Sequence, residues 1–168
     1  MKTFSFTSMI VALLLFILGG CSSQQSEQLT PQQKEQITKE VKTVLDSIFA
    51  KGERLDPEGV LQYYSTDMNA IGDSSQFEFQ AYKKSWMNLN NNAAVKWTPF
   101  RCEYIVLAKD LVISAWVGKM EVLRKSGDKI TIKPTKYTDV YKKIGDQWKV
   151  IYEHGSSGMP VIQKADKK

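Results

Sequence analysis

The chain has 168 residues, of which 42% are hydrophobic and 24% charged. This length and composition fit one globular domain with a short targeting segment, and they leave too little chain for two ordinary domains. The net charge of +5 is modest, and the lysines lie in scattered pairs instead of a basic stripe interleaved with aromatic residues, which disfavours nucleic acid as a partner.

Residues 1–20 have the features of an export signal. Lys2 precedes the apolar run MIVALLLFIL, which is too short to cross a bilayer comfortably, and Leu18-Gly19-Gly20-Cys21 follows. These four residues resemble the lipobox of bacterial lipoproteins, whose cysteine receives diacylglycerol. The resemblance implies that Cys21 is lipidated, that membrane lipid is a partner, and that the protein lies in the bacterial cell envelope on the extracytoplasmic side of a membrane. A plain secretory signal is the alternative.

Three helices are predicted after a polar spacer that, with the lipidated cysteine, occupies residues 21–30. Thr30 and Pro31 form a capping signal, so the first helix should run from Pro31 to about Ala50. Asp56-Pro57 signals a second, short helix. Apolar residues at spacings of three and four predict a third from Phe77 to about Leu89.

From Val95 onward the apolar period changes from about 3.6 to 2, which predicts an antiparallel meander. Its four strands are Val95 to Leu107, Leu111 to Lys125, Lys129 to Ile144 and Trp148 to Ser156. The segment Leu111 to Val117 is apolar on both faces. Since such a strand is usually covered on both sides, we expect a homodimer.

The final hairpin, YTDVYKKIGDQWKVIYEHGS from Tyr137 to Ser156, resembles the nuclear-transport-factor-2-like superfamily, in particular its SnoaL-like and ketosteroid-isomerase-like members. The matching features are a Thr and Val strand, a basic pair, a glycine turn, Trp-Lys-Val and Glu-His-Gly-Ser. The resemblance spans residues 31–156. It implies an α+β domain at 31–158, a cone-shaped cup of three N-terminal helices packed on a strongly bent antiparallel sheet, followed by a basic tail at 159–168.

The resemblance implies a shape and a pocket, since its members include isomerases, cyclases, dehydratases and non-catalytic binding modules. The isomerase members carry a catalytic aspartate in the strand after the second helix. Gly72 falls at that position, with Asp73 beside it. The family's Tyr and Asp oxyanion pair has no clear equivalent.

Strand parity separates Glu153 from the only histidine, His154, because neighbouring residues point to opposite faces unless the strand is bulged. Trp148, Val150 and Tyr152 share the parity of His154, so we expect His154 to face into the cup. There it would act as an acid, a base or a ligand donor. The alternative is a buried, hydrogen-bonded histidine that closes the strand.

Aromatic residues are the main candidates for the wall of a pocket. Together with His154 they are Tyr64, Trp86, Tyr104, Trp116 and Tyr152. We expect no cofactor and no metal, because one histidine and no spaced carboxylate cluster cannot supply the usual ligands.

The sequence thus favours a lipid-anchored domain that binds a small apolar or aromatic ligand, or a partner protein, without catalysis. The alternative is an isomerase-, cyclase- or dehydratase-like enzyme with His154 or Asp73 as acid or base. A structural dimerisation module is the second alternative.

Overall fold

The computed structural model, which describes residues 28–72 and 75–165, has one curved sheet and three helices, of which the first and third pack on the sheet and the short second packs on the other two. They are α1 (Pro31–Glu53), α2 (Pro57–Leu61) and α3 (Phe79–Asn90). The predicted signal segment, Cys21 and Asp73 lie outside the described residues. None of the described helices combines the length and the apolar character needed to cross a bilayer.

Helix α1 begins at the predicted capping box. The Gln33 backbone N–H donates to Thr30 Oγ1 at 3.2 Å, and the Thr30 N–H donates to Gln33 Oε1 at 2.8 Å. The helix continues past the expected end to Glu53. Near that end Gly52 allows close approach to the sheet, since a Cβ there would lie 2.5 Å from Cζ3 of Trp97.

Seven strands form one sheet within the described residues, namely β1 (Tyr64–Ile71), β2 (Gln76–Glu78), β3 (Ala93–Ala108), β4 (Leu111–Arg124), β5 (Lys129–Ile144), β6 (Gln147–Ser157) and β7 (Pro160–Gln163). Their order in the sheet is β2-β1-β6-β5-β4-β3, with β7 paired to β5. All pairings are antiparallel except β1 with β6, which is parallel. The sheet is strongly curved and does not close, so the predicted α+β cup is confirmed.

Irregular pairing bends the long strands. In β3, Pro99 pairs with Gly118 but Arg101 pairs with Val117, so Phe100 is an extra residue and is 55% exposed. A Cβ on Gly118 would lie 2.6 Å from the Thr98 carbonyl oxygen, so the strands can approach this closely only because that residue is glycine.

The core lies between the inner face of α1 and the concave side of the sheet. Its fully buried side chains include Val41, Val60, Met68, Val112, Tyr141 and Val150. On the opposite side of the sheet Ile113 and Val117 of β4 are half-buried, and Ile105 of β3 is 54% exposed. The expected homodimer stays a prediction.

The basic tail expected at 159–168 contains the short strand β7, which the sequence did not predict. Ile162 of this strand pairs with Ile130 of β5. The segment therefore extends the sheet beside the β4–β5 end.

Candidate functional site

A cavity of about 190 Å³ lies between α1, α3 and the concave face of the sheet. Its wall is mainly aromatic, with Phe49, Tyr64, Tyr82, Trp86, Trp97, Trp116, Tyr137 and Tyr141, and Leu45, Ile48, Leu89 and Met120 complete the apolar surface. Two acidic residues, Asp139 and Glu153, interrupt it. Concave, largely apolar surfaces with a few converging polar groups are typical of small-molecule sites.

The two acids face each other across neighbouring strands. Asp139 of β5 pairs with Glu153 of β6, and residues directly opposite in a sheet project to the same face. Asp139 also shares its inward parity with Tyr137 and Tyr141. The sheet itself therefore holds both carboxyls in one wall of the cavity.

Glu153 reaches the cavity because β6 carries a bulge at Ile151. Val140 pairs with Tyr152, whereas Tyr141 pairs with Val150, so Ile151 is an extra residue. One extra residue reverses the alternation of side chains beyond it. Glu153 consequently points inward and His154 is exposed, which is the reverse of the expectation from strand parity.

Two tyrosines bind the Glu153 carboxylate. Tyr64 Oη donates to Oε2 at 2.9 Å, and Tyr82 Oη lies 2.9 Å from Oε1 and 3.0 Å from Oε2. The two hydroxyls are 3.2 Å apart. Each hydroxyl has one hydrogen to donate, so both hydrogens serve the carboxylate when Glu153 is charged. Tyr64 comes from β1 and Tyr82 from α3, so this contact also fixes the helix to the sheet.

Asp139 is 4% exposed and has weaker donors. Ser114 Oγ donates to its Oδ2 at 3.1 Å, and Tyr141 Oη lies 3.4 Å from the same oxygen. The Trp116 indole is close enough to favour the charged carboxyl, although its N–H makes no hydrogen bond of normal geometry within the described residues. Asp139 is thus the less well solvated member of the pair.

The pair is expected to keep one proton near neutral pH. Burial, and then the charge of Glu153, raise the pKa of Asp139 to about 8. Burial also raises the pKa of Glu153, but the Tyr64 and Tyr82 donors act in the opposite direction. The proton therefore favours Asp139, and Glu153 keeps the negative charge. Burial, followed by the Glu153 charge, raises the pKa of Tyr64 and Tyr82 as well, so both remain donors.

The structure places the predicted site residues in three groups. Tyr64, Trp86 and Trp116 line the cavity, whereas Tyr104 and Tyr152 do not border it. His154 is exposed on the other face of β6. Asp73 and Cys21 lie outside the described residues, so their roles stay predictions.

The acid pair itself and part of the aromatic wall were not predicted from the sequence. Asp139 could have been predicted to face inward, because Tyr137 and Tyr141 lie two positions before and after it, which is the spacing of side chains on one face of a strand. No comparable signal existed for Glu153, since only the bulge turns it inward. In residues 28–72 and 75–165, no three His, Cys, Asp or Glu side chains lie close enough together to bind a metal ion.

No known protein family and no curated protein matches the sequence. Several solved structures match the fold. A scytalone dehydratase-like protein of Novosphingobium aromaticivorans has a TM-score of 0.72 at 11% identity, covering 82% of this chain and 94% of its own. The hexachlorocyclohexane dehydrochlorinase LinA type 2 has a TM-score of 0.65 at 9% identity, and the match covers 82% of this chain and 95% of its own. A protein of unknown function from Pseudomonas putida, described as NTF2-like, has a TM-score of 0.57 at 20% identity, and the match covers 70% of this chain and 84% of its own.

These likenesses establish the fold. The chain has the cone-shaped fold of the nuclear-transport-factor-2-like proteins, as the hairpin of residues 137–156 predicted. Since some of these proteins are enzymes and others have no known function, the fold does not decide between binding and catalysis.

Replacing Asp139 with Asn should weaken the pH dependence of stability. A carboxyl whose pKa is higher in the folded than in the unfolded protein makes the folded state bind more protons, so stability falls as pH rises from about 4 to about 8. In Asp139→Asn this pH-dependent loss of stability should be smaller by at least about 1.4 kcal/mol, the equivalent of one pKa unit. Urea unfolding at pH 5 and pH 8 measures it.

The matched control is Asp67→Asn, which changes an exposed aspartate of β1. It should keep the pH dependence of the unchanged protein. Equal pH dependence in Asp139→Asn and the unchanged protein would contradict the assignment of the buried proton to this site.

Proposed function

We propose that this chain binds a small ring-bearing molecule in the aromatic cavity, without catalysis, in a domain that Cys21 anchors to a membrane. The observation that carries the binding function is the concave aromatic wall formed by α1, α3 and the sheet. Core packing would fill such a space, whereas here about 190 Å³ stays open. Apolar wall atoms around open space favour a ligand that supplies the missing contacts.

The volume limits the size of the ligand. A dry protein cavity of about 150 Å³ is known to hold benzene. The cavity of about 190 Å³ therefore suits one six-membered ring with a short substituent and is too small for a steroid. The open part of the cup could accept a longer tail only if side chains such as Leu89, which is 37% exposed, moved aside.

A one-ring quencher tests this proposal. Nitrobenzene should quench the fluorescence of Trp86, Trp97 and Trp116 with a saturable dependence on concentration, because all three indoles line the cavity. Ile48→Phe adds volume to the cavity wall and should weaken binding at least tenfold, as measured by titration of the full-length protein.

Ile113→Phe is the matched control, because it makes the same exchange on the outer face of β4. It should leave the dissociation constant within a factor of about two, the equivalent of a few tenths of a kcal/mol. Quenching that never saturates, or an unchanged affinity in a folded Ile48→Phe variant, would contradict binding in this cavity.

Acid–base catalysis is the second candidate, and the Asp139–Glu153 pair favours it. In a cavity with a mainly aromatic wall, a charged carboxylate can remove a proton while its protonated neighbour donates one. The solved structures named as dehydratase-like and dehydrochlorinase suggest an elimination as the reaction class. In this proposal Asp139 and Glu153 take the roles that the sequence analysis gave to His154 or Asp73.

The ring opening of 5-nitrobenzisoxazole tests for such a base. The base removes the proton on carbon, the N–O bond breaks, and a coloured cyanophenolate forms. If the pair is catalytic, Glu153→Gln should reduce the rate at least tenfold, whereas His154→Ala should not. A rate equal to that of buffer, or an unaffected Glu153→Gln variant, would contradict this second candidate.

The sequence alone supports the anchor, through Leu18-Gly19-Gly20-Cys21. Expressed in a bacterium supplied with an alkyne-labelled fatty acid, the protein should take up the label and sediment with membranes, because acyl chains add about 0.8 kcal/mol of attachment per buried CH₂. Cys21→Ser should abolish both, and Cys102→Ser serves as the matched control. Labelling that survives Cys21→Ser would contradict the anchor.

A further inference from the structure

We propose that the ligand of the cavity is an organic monocation, with its ammonium group against the Asp139–Glu153 pair and its apolar part against the aromatic wall. This inference rests on the proposed binding function and specifies the chemical class of the ligand. Two observations support it, namely the lack of a cationic side chain in the described lining of the cavity and the arrangement of the aromatic rings.

The first observation is a negative charge without a positive partner. None of the described residues that line the cavity is a lysine, an arginine or a histidine. Within the part of the chain that the structure describes, the neutral hydroxyls of Tyr64 and Tyr82 donate to the Glu153 carboxylate. A buried carboxylate is costly to keep charged unless it is paired. A cationic ligand would supply the charge that the wall lacks, whereas an anion would be repelled.

The second observation is that the aromatic rings form a continuous arc that begins and ends at the acid pair. Neighbouring ring centroids are 5.1, 6.3, 5.5, 5.5, 5.2 and 4.6 Å apart along this series. The series is Tyr64, Tyr82, Trp86, Trp97, Phe49, Trp116 and Tyr137. Its first member donates to Glu153, and its last lies two residues before Asp139 on the same face of β5.

Such an arc is suited to an organic cation. The face of an aromatic ring carries negative charge density and attracts a cation within about 6 Å of the ring centroid. Quaternary ammonium ligands in particular are bound by several aromatic rings that surround the charge. The carboxyl pair completes the arc and adds a full negative charge at one side. Neutral ring compounds would gain only the apolar contacts.

A consequence of this arrangement is that the pair should release a proton when a cation binds. A positive ligand beside Asp139 favours its charged form, so binding should release the proton that Asp139 holds. The polar and titratable groups that interact with Asp139 or share its cavity are Ser114 and Trp116 of β4, Glu153 of β6, Tyr64 of β1, Tyr82 of α3, Cys102 and Tyr104 of β3, and Tyr137 and Tyr141 of β5. From α1 the cavity wall receives only Leu45, Ile48 and Phe49, which do not titrate.

A pair of probes with the same shape and different charge tests the inference. The two molecules differ only at the branching atom, which is a positively charged nitrogen in phenyltrimethylammonium and a neutral carbon in tert-butylbenzene. Calorimetry of the full-length protein at pH 7 should give the cation at least a tenfold higher affinity. The affinity for phenyltrimethylammonium should rise between pH 6 and pH 9, because Asp139 loses its proton over this range, and Asp139→Asn should remove most of that rise. This probe has no proton of its own to lose.

Glu153→Gln should reduce the preference for the cation to less than threefold, while Asp67→Asn should leave it unchanged. If Glu153→Gln fails to fold, the pH dependence in Asp139→Asn provides the same test. Equal affinities for the two probes would overturn the monocation and leave the proposed binding function standing. If neither probe binds, both proposals fail. A cation preference that survives in folded Glu153→Gln and Asp139→Asn variants would overturn the assignment to this pair.

Discussion

The pairing of Asp139 with Glu153 across β5 and β6 is the constraint on which the rest of the site depends. It exists because the bulge at Ile151 reverses the alternation of β6 just before Glu153. The inward glutamate then binds Tyr64 from β1 and Tyr82 from α3, so one carboxyl connects three elements. Without the bulge the same strand would present His154 to the cavity and leave the two tyrosine hydroxyls without their acceptor.

Local signals in the sequence predicted most of the fold. The Thr30–Gln33 capping box marked the start of α1, and β5 begins and ends where the strand was predicted. Its two neighbouring turns contain Gly127 and Gly145, whose φ values of 86° and 59° favour glycine. The parallel pairing of β1 with β6 could not be predicted in this way, because it joins segments far apart in the chain.

The candidate site was less predictable than the fold for a specific physical reason. Alternation along a strand is reliable only while the pairing stays regular, and Ile151 has no feature that marks it as an extra residue. Tyr64, Trp86 and Trp116 were predicted because bulky aromatic residues of a cup-shaped domain tend to face its interior. The inward orientation of Asp139 could be predicted from its tyrosine neighbours, whereas that of Glu153 is evident only from the pairing of β6 with β5 in the structure.

The proposed cation site and the acid–base candidate use the same acid pair, which is expected to share one proton inside the cavity near neutral pH. Carbon-13 NMR of the two carboxyl groups between pH 3 and pH 10, assigned with Asp139→Asn and Glu153→Gln, measures this sharing directly. The account predicts that the pair loses its last proton well above pH 5, with the Asp139 carboxyl titrating near its raised pKa of about 8. Two carboxyls that both titrate near pH 4 would contradict it.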